Sequence, residues 1–202
     1  MARYAFYIDG FNVYYALQQN PHYRKYKWLD YRKLAETAVG AKDEITGVFY
    51  FTAFVGWKPR SVSRHKAYIR ALRSAGVETV LGRFMEKHVK CHSCHQFFTT
   101  HEEKQSDVNI ALKLVTDAVE DLYDKALIVS ADSDLIPAIS SIQRLVPDKE
   151  IGVMFPIGRN SYELLRKAAF RLKMSQKLLR DCQFPDEIKV GSTIIERPKS
   201  WR

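Results

Sequence analysis

The sequence has few cysteines and no long hydrophobic run. Its three cysteines, Cys91, Cys94 and Cys182, are too few for a disulfide framework, and the close pair is more typical of metal binding in a reducing compartment. No apolar stretch is long enough to span a bilayer, and residues 1–8 lead directly into a strand-like segment rather than a secretory signal. We therefore expect a cytoplasmic protein with no membrane partner.

Negative charge is also scarce, because 23 acidic residues stand against 32 basic ones, for a formal net charge of +9 at pH 7. That surplus favours a polyanionic partner, most simply nucleic acid. We assign most of the aromatic and basic residues between Tyr14 and Lys33 to packing and solvated surface, with the rim of a binding groove as the alternative. The candidates for contacts with nucleic acid are Tyr14, Lys58, Arg60, Arg64, Lys104 and Arg159.

The few acidic residues include several at predicted strand ends. The apolar run Ala126–Val129 predicts a buried strand, and Asp132 and Asp134 follow it. Likewise, Asp9 follows a strand over Tyr4–Ile8. Asn12, in a predicted helix over Phe11–Leu17, lies one helical turn beyond Asp9 and can point the same way. Catalytic groups gather at such positions in open α/β sheets, although Asp132 as a helix cap explains its segment equally well.

A long helix is predicted over Glu102–Asp121, with Ser106 as its N-cap and Asp107 in its first turn. Asp107 is either one more member of the acidic group or a helix-end acid with no further role. The predicted buried face of this helix consists of Val108, Ala111, Leu112, Val115, Ala118, Val119 and Leu122.

Strands and helices alternate along the rest of the chain. Strands are predicted over Ile45–Val55, Val77–Phe84 and Glu150–Phe155, helices over Arg60–Ala75, Leu135–Leu145 and Tyr162–Phe170, and a hairpin over Glu187–Val190 and Thr193–Glu196. The alternation predicts an α/β fold, with a central, mainly parallel sheet and helices on both faces. One edge of that sheet would hold Asp9, Asn12, Asp107, Asp132 and Asp134. Clustered carboxylates repel each other unless a cation such as Mg²⁺ or Mn²⁺ neutralises them.

A small Cys/His insertion at residues 86–101 is the second candidate metal site. Cys91 and Cys94 have the spacing with which two thiolates bind one tetrahedral zinc ion. His88 and His101 are the preferred further ligands, and His92 and His95 compete with them. A chance pair of cysteines without metal is one alternative. A redox pair is the other, although such a pair normally opens a helix in a thioredoxin-like setting, which this sequence lacks.

Three motifs resemble the NYN domain, in the LabA/DUF88 group of PIN-like nucleases: YIDGFNVYY at residues 7–15, EEKQSDVNIAL at 102–112 and IVSADSDLIPAI at 128–139. The resemblance runs from about Tyr4 to Phe170 and implies a Rossmann-like PIN fold with a metal-dependent ribonuclease site. Carried over by motif, the site residues are Asp9, Asn12, Asp107, Asp132 and Asp134. The cysteine segment resembles an insertion in one bacterial branch of the group, which supports structural zinc there. The predicted organisation is an NYN domain over residues 1–170 and a basic extension with a hairpin over 171–202.

These observations predict a metal-dependent endoribonuclease. A non-catalytic RNA-binding or regulatory module of the same fold is the first alternative. A metal-dependent phosphatase or nucleotide hydrolase ranks below both, because Phe11 occupies the position where an aspartyl-phosphate motif has its second aspartate. The sequence does not determine the oligomeric state, although it is compatible with a homodimer.

Overall fold

The computed structural model describes residues 1–201, so Arg202, the last residue of the predicted basic extension, lies outside the described part. In chain order the elements are β1 (Arg3–Asp9), α1 (Gly10–Gln19), α2 (Tyr31–Val39), β2 (Glu44–Thr52), α3 (Pro59–Ser74), β3 (Glu78–Leu81), β4 (Arg83–Lys90), β5 (Phe97–Lys104), α4 (Ser106–Val119), β6 (Lys125–Val129), α5 (Ile136–Leu145), β7 (Glu150–Phe155), α6 (Tyr162–Lys167), β8 (Phe170–Lys173), α7 (Gln176–Asp181), β9 (Glu187–Val190) and β10 (Thr193–Glu196). Short 3₁₀ helices cover Pro21–Tyr26, Ser133–Leu135 and Lys199–Trp201.

The central sheet has six parallel strands in the order β3-β2-β1-β6-β7-β8. From β1 the chain adds β2 and β3 toward one side of the sheet, and from β6 it adds β7 and β8 toward the other side. The direction of winding therefore reverses between β1 and β6. In doubly wound sheets a crevice opens at the carboxyl ends of the two strands flanking that reversal. The predicted α/β class and parallel sheet are confirmed, and the fold identifies the ends of β1 and β6 as the place to look for a site.

Helices cover both faces of the sheet. On one face, α1, α2, α3 and α7 pack against the side chains Phe6, Ile8 and Val129. On the other, α4, α5 and α6 pack against Tyr7 and Ile128. Successive residues of β1 and β6 therefore supply opposite cores, which explains why both strands read as continuous apolar runs.

The predicted long helix begins later than expected. Residues 102–104 belong to β5, and α4 begins at Ser106 behind Gln105, whose φ of 82° lies in the left-handed region. Ser106 is thus the first helical residue rather than the cap, and its buried hydroxyl has no hydrogen-bond partner among the described residues.

The predicted buried face of α4 is also largely wrong. The exposed fractions of Val108, Leu112 and Val119 are 59%, 62% and 59%, and the face that packs on the sheet instead carries Ile110 and Leu114. Asp117 is buried on that face as well, where its carboxylate accepts hydrogen bonds from Tyr7 (2.6 Å) and Lys113 (2.7 Å). A hydrophobic pattern treats an aspartate as exposed and cannot show that distant partners will hydrogen-bond it. The pattern therefore assigned the buried face to the wrong side of α4.

The predicted strand Val77–Phe84 is divided between β3 and β4. A Cβ at Gly82, between the two strands, would lie 2.7 Å from the carbonyl oxygen of Lys104. From there β4 and β5 form an antiparallel hairpin, so the predicted Cys/His loop at 86–101 consists mostly of two paired strands.

The end of the chain is integrated into the fold. The predicted helix Tyr162–Phe170 ends at Lys167, and Phe170 begins β8, which crosses the predicted boundary between residues 170 and 171. Strands β9 and β10 form the predicted hairpin, with Gly191 at a φ of 56°. Trp201 is buried against Trp28 and Tyr68. Among residues 1–201, no helix has both the length and the apolarity needed to span a bilayer.

Candidate active site

Asp9 ends β1 and is almost completely buried. Its Oδ1 accepts a hydrogen bond from the backbone N–H of Asn12 (2.9 Å), which caps α1, and its Oδ2 accepts one from the Ser130 hydroxyl (2.8 Å). Burial raises the pKa of Asp9, and the two hydrogen bonds partly offset that rise. Asp9 is therefore held rigidly at the point where the sheet reverses its winding.

The end of β6 is tied to the end of β1 by a short network. The Ser130 hydroxyl accepts a hydrogen bond from the backbone N–H of Asp132 (3.1 Å), and Asn12 Oδ1 accepts one from the backbone N–H of Ala131 (3.2 Å). Asp132 Oδ1 in turn accepts a hydrogen bond from the backbone N–H of Asp134 (3.0 Å). Asp132 thus caps the following turn, as the simpler interpretation predicted, and one of its oxygens is not used by that cap.

Asp107, in the first turn of α4, faces the same place. Its pKa is raised to about 6, first by burial and then by the negative charges of Asp9 and Asp132, with smaller contributions from Glu103 and Asp134. No hydrogen bond from the described residues supports its carboxylate. The acids predicted from three separate motifs therefore lie close enough to act on each other. We call Asp9, Glu103, Asp107, Asp132 and Asp134 the acidic site.

Two members of this region were missed by sequence reasoning. Glu103 lies on β5, its Oε1 accepts a hydrogen bond from the backbone N–H of Ser106 (3.2 Å), and its charge raises the pKa of both Asp9 and Asp107. It belongs to the EEKQSDVNIAL motif, but a helical assignment of Glu102–Lys104 obscured its position. Ser130, completely buried, reads as the last residue of a strand, and its polar side chain there was the available signal.

The donor set of the acidic site suits a hard divalent cation. Among residues 1–201, no three His, Cys, Asp or Glu side chains are close enough together to hold one ion by themselves. Mg²⁺ and similar ions are commonly held by one or two carboxylates and complete their coordination with water. Asp107, half-buried among like charges and without a hydrogen bond, is the carboxylate most in need of a cation. Asp9 and Asp132 lie beside it, whereas Asp134 is exposed at the outer edge.

The Cys/His hairpin is arranged differently. Cys91 and Cys94 lie at its tip, where the backbone N–H of Cys94 and then that of Ser93 lower the pKa of the Cys91 thiol. His88 lies on β4 and contacts Thr99 across the hairpin (3.3 Å). His101 stacks on Trp57 with ring centroids 3.4 Å apart. The structure therefore brings the two cysteines together but does not bring His88 and His101 to them.

The six candidates for nucleic-acid contacts divide into two groups. Tyr14, Lys58 and Arg64 line one pocket, described below, and Arg60 lies exposed on the first turn of α3 beside it. By contrast, Lys104 at the end of β5 pairs with Glu102 (2.9 Å), and Arg159, beyond β7, donates to the side-chain oxygen of Gln19 (2.9 Å).

This pocket, of about 350 Å³, opens beside the first turn of α1. Its lining is rich in aromatic rings and also carries basic side chains. We call it the aromatic pocket and define it by Phe11, Tyr14, Tyr15, Tyr50, Trp57 and Trp201 with Lys27, Lys58, Arg64 and His65. Gly10, the neighbour of Asp9, also lines it, and a Cβ at Gly10 would lie 2.5 Å from the Tyr50 ring. The acidic site and the aromatic pocket therefore adjoin at the start of α1.

Comparisons with known proteins agree with this architecture. The NYN domain family matches residues 3–172. The chain is 29% identical over 236 aligned residues to 6-hydroxy-3-succinoylpyridine 3-monooxygenase HspA of Pseudomonas putida, and the match covers 96% of this chain and 74% of that protein. A crystal structure of a protein of unknown function from Vibrio parahaemolyticus superposes with a TM-score of 0.63 at 19% identity, covering 87% of this chain and 94% of that one. This second likeness concerns the fold alone.

Proposed function

This chain belongs to the NYN domain family, of PIN-like nuclease type, and from that membership we propose that it is a metal-dependent endoribonuclease acting at the acidic site. Its reaction would be the hydrolysis of phosphodiester bonds in RNA. The observation that carries the proposal is the convergence of carboxylates from β1, β6 and α4 at the carboxyl ends of the strands, where Asp9 and Asp132 lie close enough for their charges to act on Asp107. A structural helix cap needs no such convergence.

Mg²⁺ or Mn²⁺, when bound, would activate a water molecule and neutralise charge developing on the phosphate. Asp107 would hold it together with Asp9 or Asp132, water would complete its coordination, and Asp134 would lie at the outer edge. The hydrogen bonds from Asn12 and Ser130 fix the Asp9 carboxylate, so one ligand is oriented in advance. Asn12 accepts from Ala131 through its side-chain oxygen, which leaves its amide N–H groups to donate to a phosphate oxygen.

RNA suits the charge distribution of the chain. The acidic site alone would repel a polyanion, but the chain has a net charge of +9, and the basic residues Lys58, Arg60 and Arg64 lie on or beside the neighbouring aromatic pocket. Such a surplus raises the local concentration of a polyanion and makes its binding sensitive to salt.

The test is cleavage of end-labelled single-stranded and hairpin RNA in the presence of Mn²⁺, with the Asp132→Asn variant alongside the wild type. Asp148→Asn is the matched control, since its carboxylate is exposed in the turn before β7, at the opposite edge of the sheet. We expect metal-dependent products from the wild type and the control, and a large loss in Asp132→Asn. Equal cleavage by all three proteins would contradict the proposal.

Two other outcomes would identify the alternatives. Salt-sensitive RNA binding without any metal-dependent product would indicate a non-catalytic RNA-binding module. Hydrolysis of mononucleotides or phosphate monoesters without cleavage of RNA would indicate a phosphatase or nucleotide hydrolase.

A second candidate function is a reaction on a small heteroaromatic compound. The relative from Pseudomonas putida is named for a monooxygenase reaction on a hydroxypyridine, and the aromatic pocket beside the acidic site is the feature of this chain that favours such a substrate. Incubation with 6-hydroxy-3-succinoylpyridine, O₂ and NADH, followed by mass spectrometry, tests it. Conversion that is abolished by anaerobic conditions would favour this function over RNA hydrolysis.

A further inference from the structure

Lys27 is a buried cation without an acidic partner. Its exposed fraction is 8%, its ammonium group donates to the side-chain oxygen of Gln18, and it lies 5.2 Å from the centroid of the Tyr14 ring. None of the ion pairs among residues 1–201 includes Lys27. Because a buried charge is costly unless an opposite charge accompanies it, the aromatic pocket is suited to receive an anion.

Arg64 adds a second positive charge to the same side of the pocket. It lines the pocket, is close enough for its charge to act on both Lys27 and Tyr14, and takes part in no ion pair within the described chain. A lysine beside an arginine offers several N–H donors to one group of oxygens, as in sites that bind phosphate.

The mouth of the pocket presents flat rings. Phe11 and Tyr15 stack with centroids 6.1 Å apart, and half of the Tyr15 surface is exposed. Trp57, also exposed in part, is oriented by its stack on His101 and by an edge contact with Phe84 from the Cys/His hairpin. Exposed rings held in fixed orientations beside cations are the arrangement on which proteins stack nucleic-acid bases.

Polar groups inside the pocket match the edge of a heterocycle. Thr52 and His65 lie within hydrogen-bond distance of each other (3.1 Å), and burial lowers the pKa of His65 to about 4, so its imidazole is neutral near pH 7. Because Thr52 engages the Nε2 atom of His65, one ring nitrogen of the neutral imidazole is left to donate or accept a hydrogen bond. The volume of about 350 Å³ lies within the usual range for a small-ligand site.

We propose that the aromatic pocket binds one nucleotide unit, with a base stacked on Tyr15 and Trp57 and a phosphate held by Lys27 and Arg64. The inference rests on the proposed function, since a nucleotide of the RNA substrate would be the ligand. Because Gly10 lines the pocket and Asp9 belongs to the acidic site, a nucleotide bound here would direct the adjoining phosphodiester toward the acids. The pocket would then select which nucleotide lies next to the cleaved bond.

Binding is measured without metal, in EDTA, by quenching of tryptophan fluorescence and by calorimetry with the full chain. The probes are 5′-AMP, 5′-UMP, adenosine, a five-nucleotide RNA and nicotinate, a free heteroaromatic acid. We expect saturable binding of the nucleotides and of the RNA. Lys27→Met should weaken the binding of 5′-AMP about tenfold, as for the loss of one charge-assisted contact, and should leave adenosine within about twofold. Lys25→Met, an exposed lysine two positions away, is the matched control and should bind as the wild type does.

If Lys27→Met does not fold, judged by circular dichroism, two milder variants replace it. Arg64→Gln should weaken 5′-AMP binding more than adenosine binding, and Tyr15→Ala should weaken both equally. Absence of nucleotide binding, or equal affinity for 5′-AMP in the wild type and these variants, would overturn the inference. So would tighter binding of nicotinate than of every nucleotide, which would indicate a small-molecule site. Binding that persists in Asp132→Asn while cleavage is absent from every protein would support the pocket and contradict the nuclease proposal.

Discussion

The sequence predicts a metal site both at the acidic site and in the Cys/His hairpin. The fold brings the predicted ligands of the first close together and keeps those of the second apart. The acidic site draws on residues more than 120 positions apart, and the parallel strands bring Asp9 and Asp132 to one crevice, where Asp107 joins them. The hairpin draws on residues only 13 positions apart, from His88 to His101, yet its strand pairing separates those histidines from the two cysteines. Closeness in sequence is therefore the weaker guide, because a paired strand fixes the direction of each side chain.

The largest expected difference between the two regions is in catalysis. Asp107→Asn should lower the rate of Mn²⁺-dependent RNA cleavage by about 10² to 10³-fold, the scale expected when one electrostatic contributor to a transition state is removed. The Cys91→Ser, Cys94→Ser double variant should retain cleavage within about threefold, because the cysteines lie at the hairpin tip and Glu103 lies at its base. Initial rates at several Mn²⁺ concentrations would measure both. If the cysteine variant lost as much of the cleavage rate as Asp107→Asn does, the hairpin tip would be part of the catalytic machinery and the two regions would not be separate.

Glu103 connects the two regions, since it belongs to the hairpin and acts on the acidic site. Glu103→Gln should lower the cleavage rate by roughly tenfold, less than a direct ligand, because its charge acts on Asp9 and Asp107 rather than on the reacting group. Glu102→Gln, the exposed neighbour paired with Lys104, is the control and should leave the rate unchanged. Equal effects of the two substitutions on the cleavage rate would mean that Glu103 does not act on the acidic site.

Some parts of the acidic site could be predicted from the sequence and others could not, and the reasons are physical. Strand ends were predictable because runs such as Ala126–Val129 are apolar throughout, and parallel pairing then brings Asp9 and Asp132 together without any further information. Glu103 and Ser130 were not predictable in the same way, since their positions depend on where β5 stops and on a buried hydroxyl. The buried side of α4 was mispredicted because Asp117 is stabilised by Tyr7, 110 residues away in sequence.

The pH dependence of stability should also separate the regions. The pKa of Asp107 is raised from 3.8 to about 6, so the folded state binds this proton more tightly than the unfolded state. The resulting stabilisation is present below pH 4 and is lost as the pH rises through 6. Two pKa units correspond to ~3 kcal/mol, and the partial exposure of Asp107 reduces the expected effect to about 1 kcal/mol.

Urea unfolding of the metal-free protein at pH 4 and pH 8 measures this effect. The wild type should lose about 1 kcal/mol more free energy of unfolding over this range than Asp107→Asn does, and Mn²⁺ should restore part of it at pH 8. The double cysteine variant should show the same pH dependence as the wild type. An unchanged pH dependence in Asp107→Asn would mean that neither burial nor the neighbouring acids raise the pKa of Asp107 in the folded protein.

The smallest expected effect concerns zinc at the hairpin tip. Zinc bound there remains a prediction, and the structure changes its expected ligands, because His101 would have to leave its stack on Trp57 to reach the cysteines. His92 and His95 lie at the tip with Cys91 and Cys94, so a rearrangement confined to the tip would be enough to bring one of them to the thiols. Elemental analysis should therefore find about one zinc per chain in the wild type and in His101→Ala, and almost none in Cys94→Ser. Since the tip lies at the far end of β4 and β5 from Glu103, losing the metal should leave the rate of RNA cleavage within about threefold. Loss of zinc in His101→Ala would instead mean that the hairpin strands separate and bring His101 to the cysteines. The zinc site would then form only when the metal binds, whereas the acids of the acidic site already lie close together.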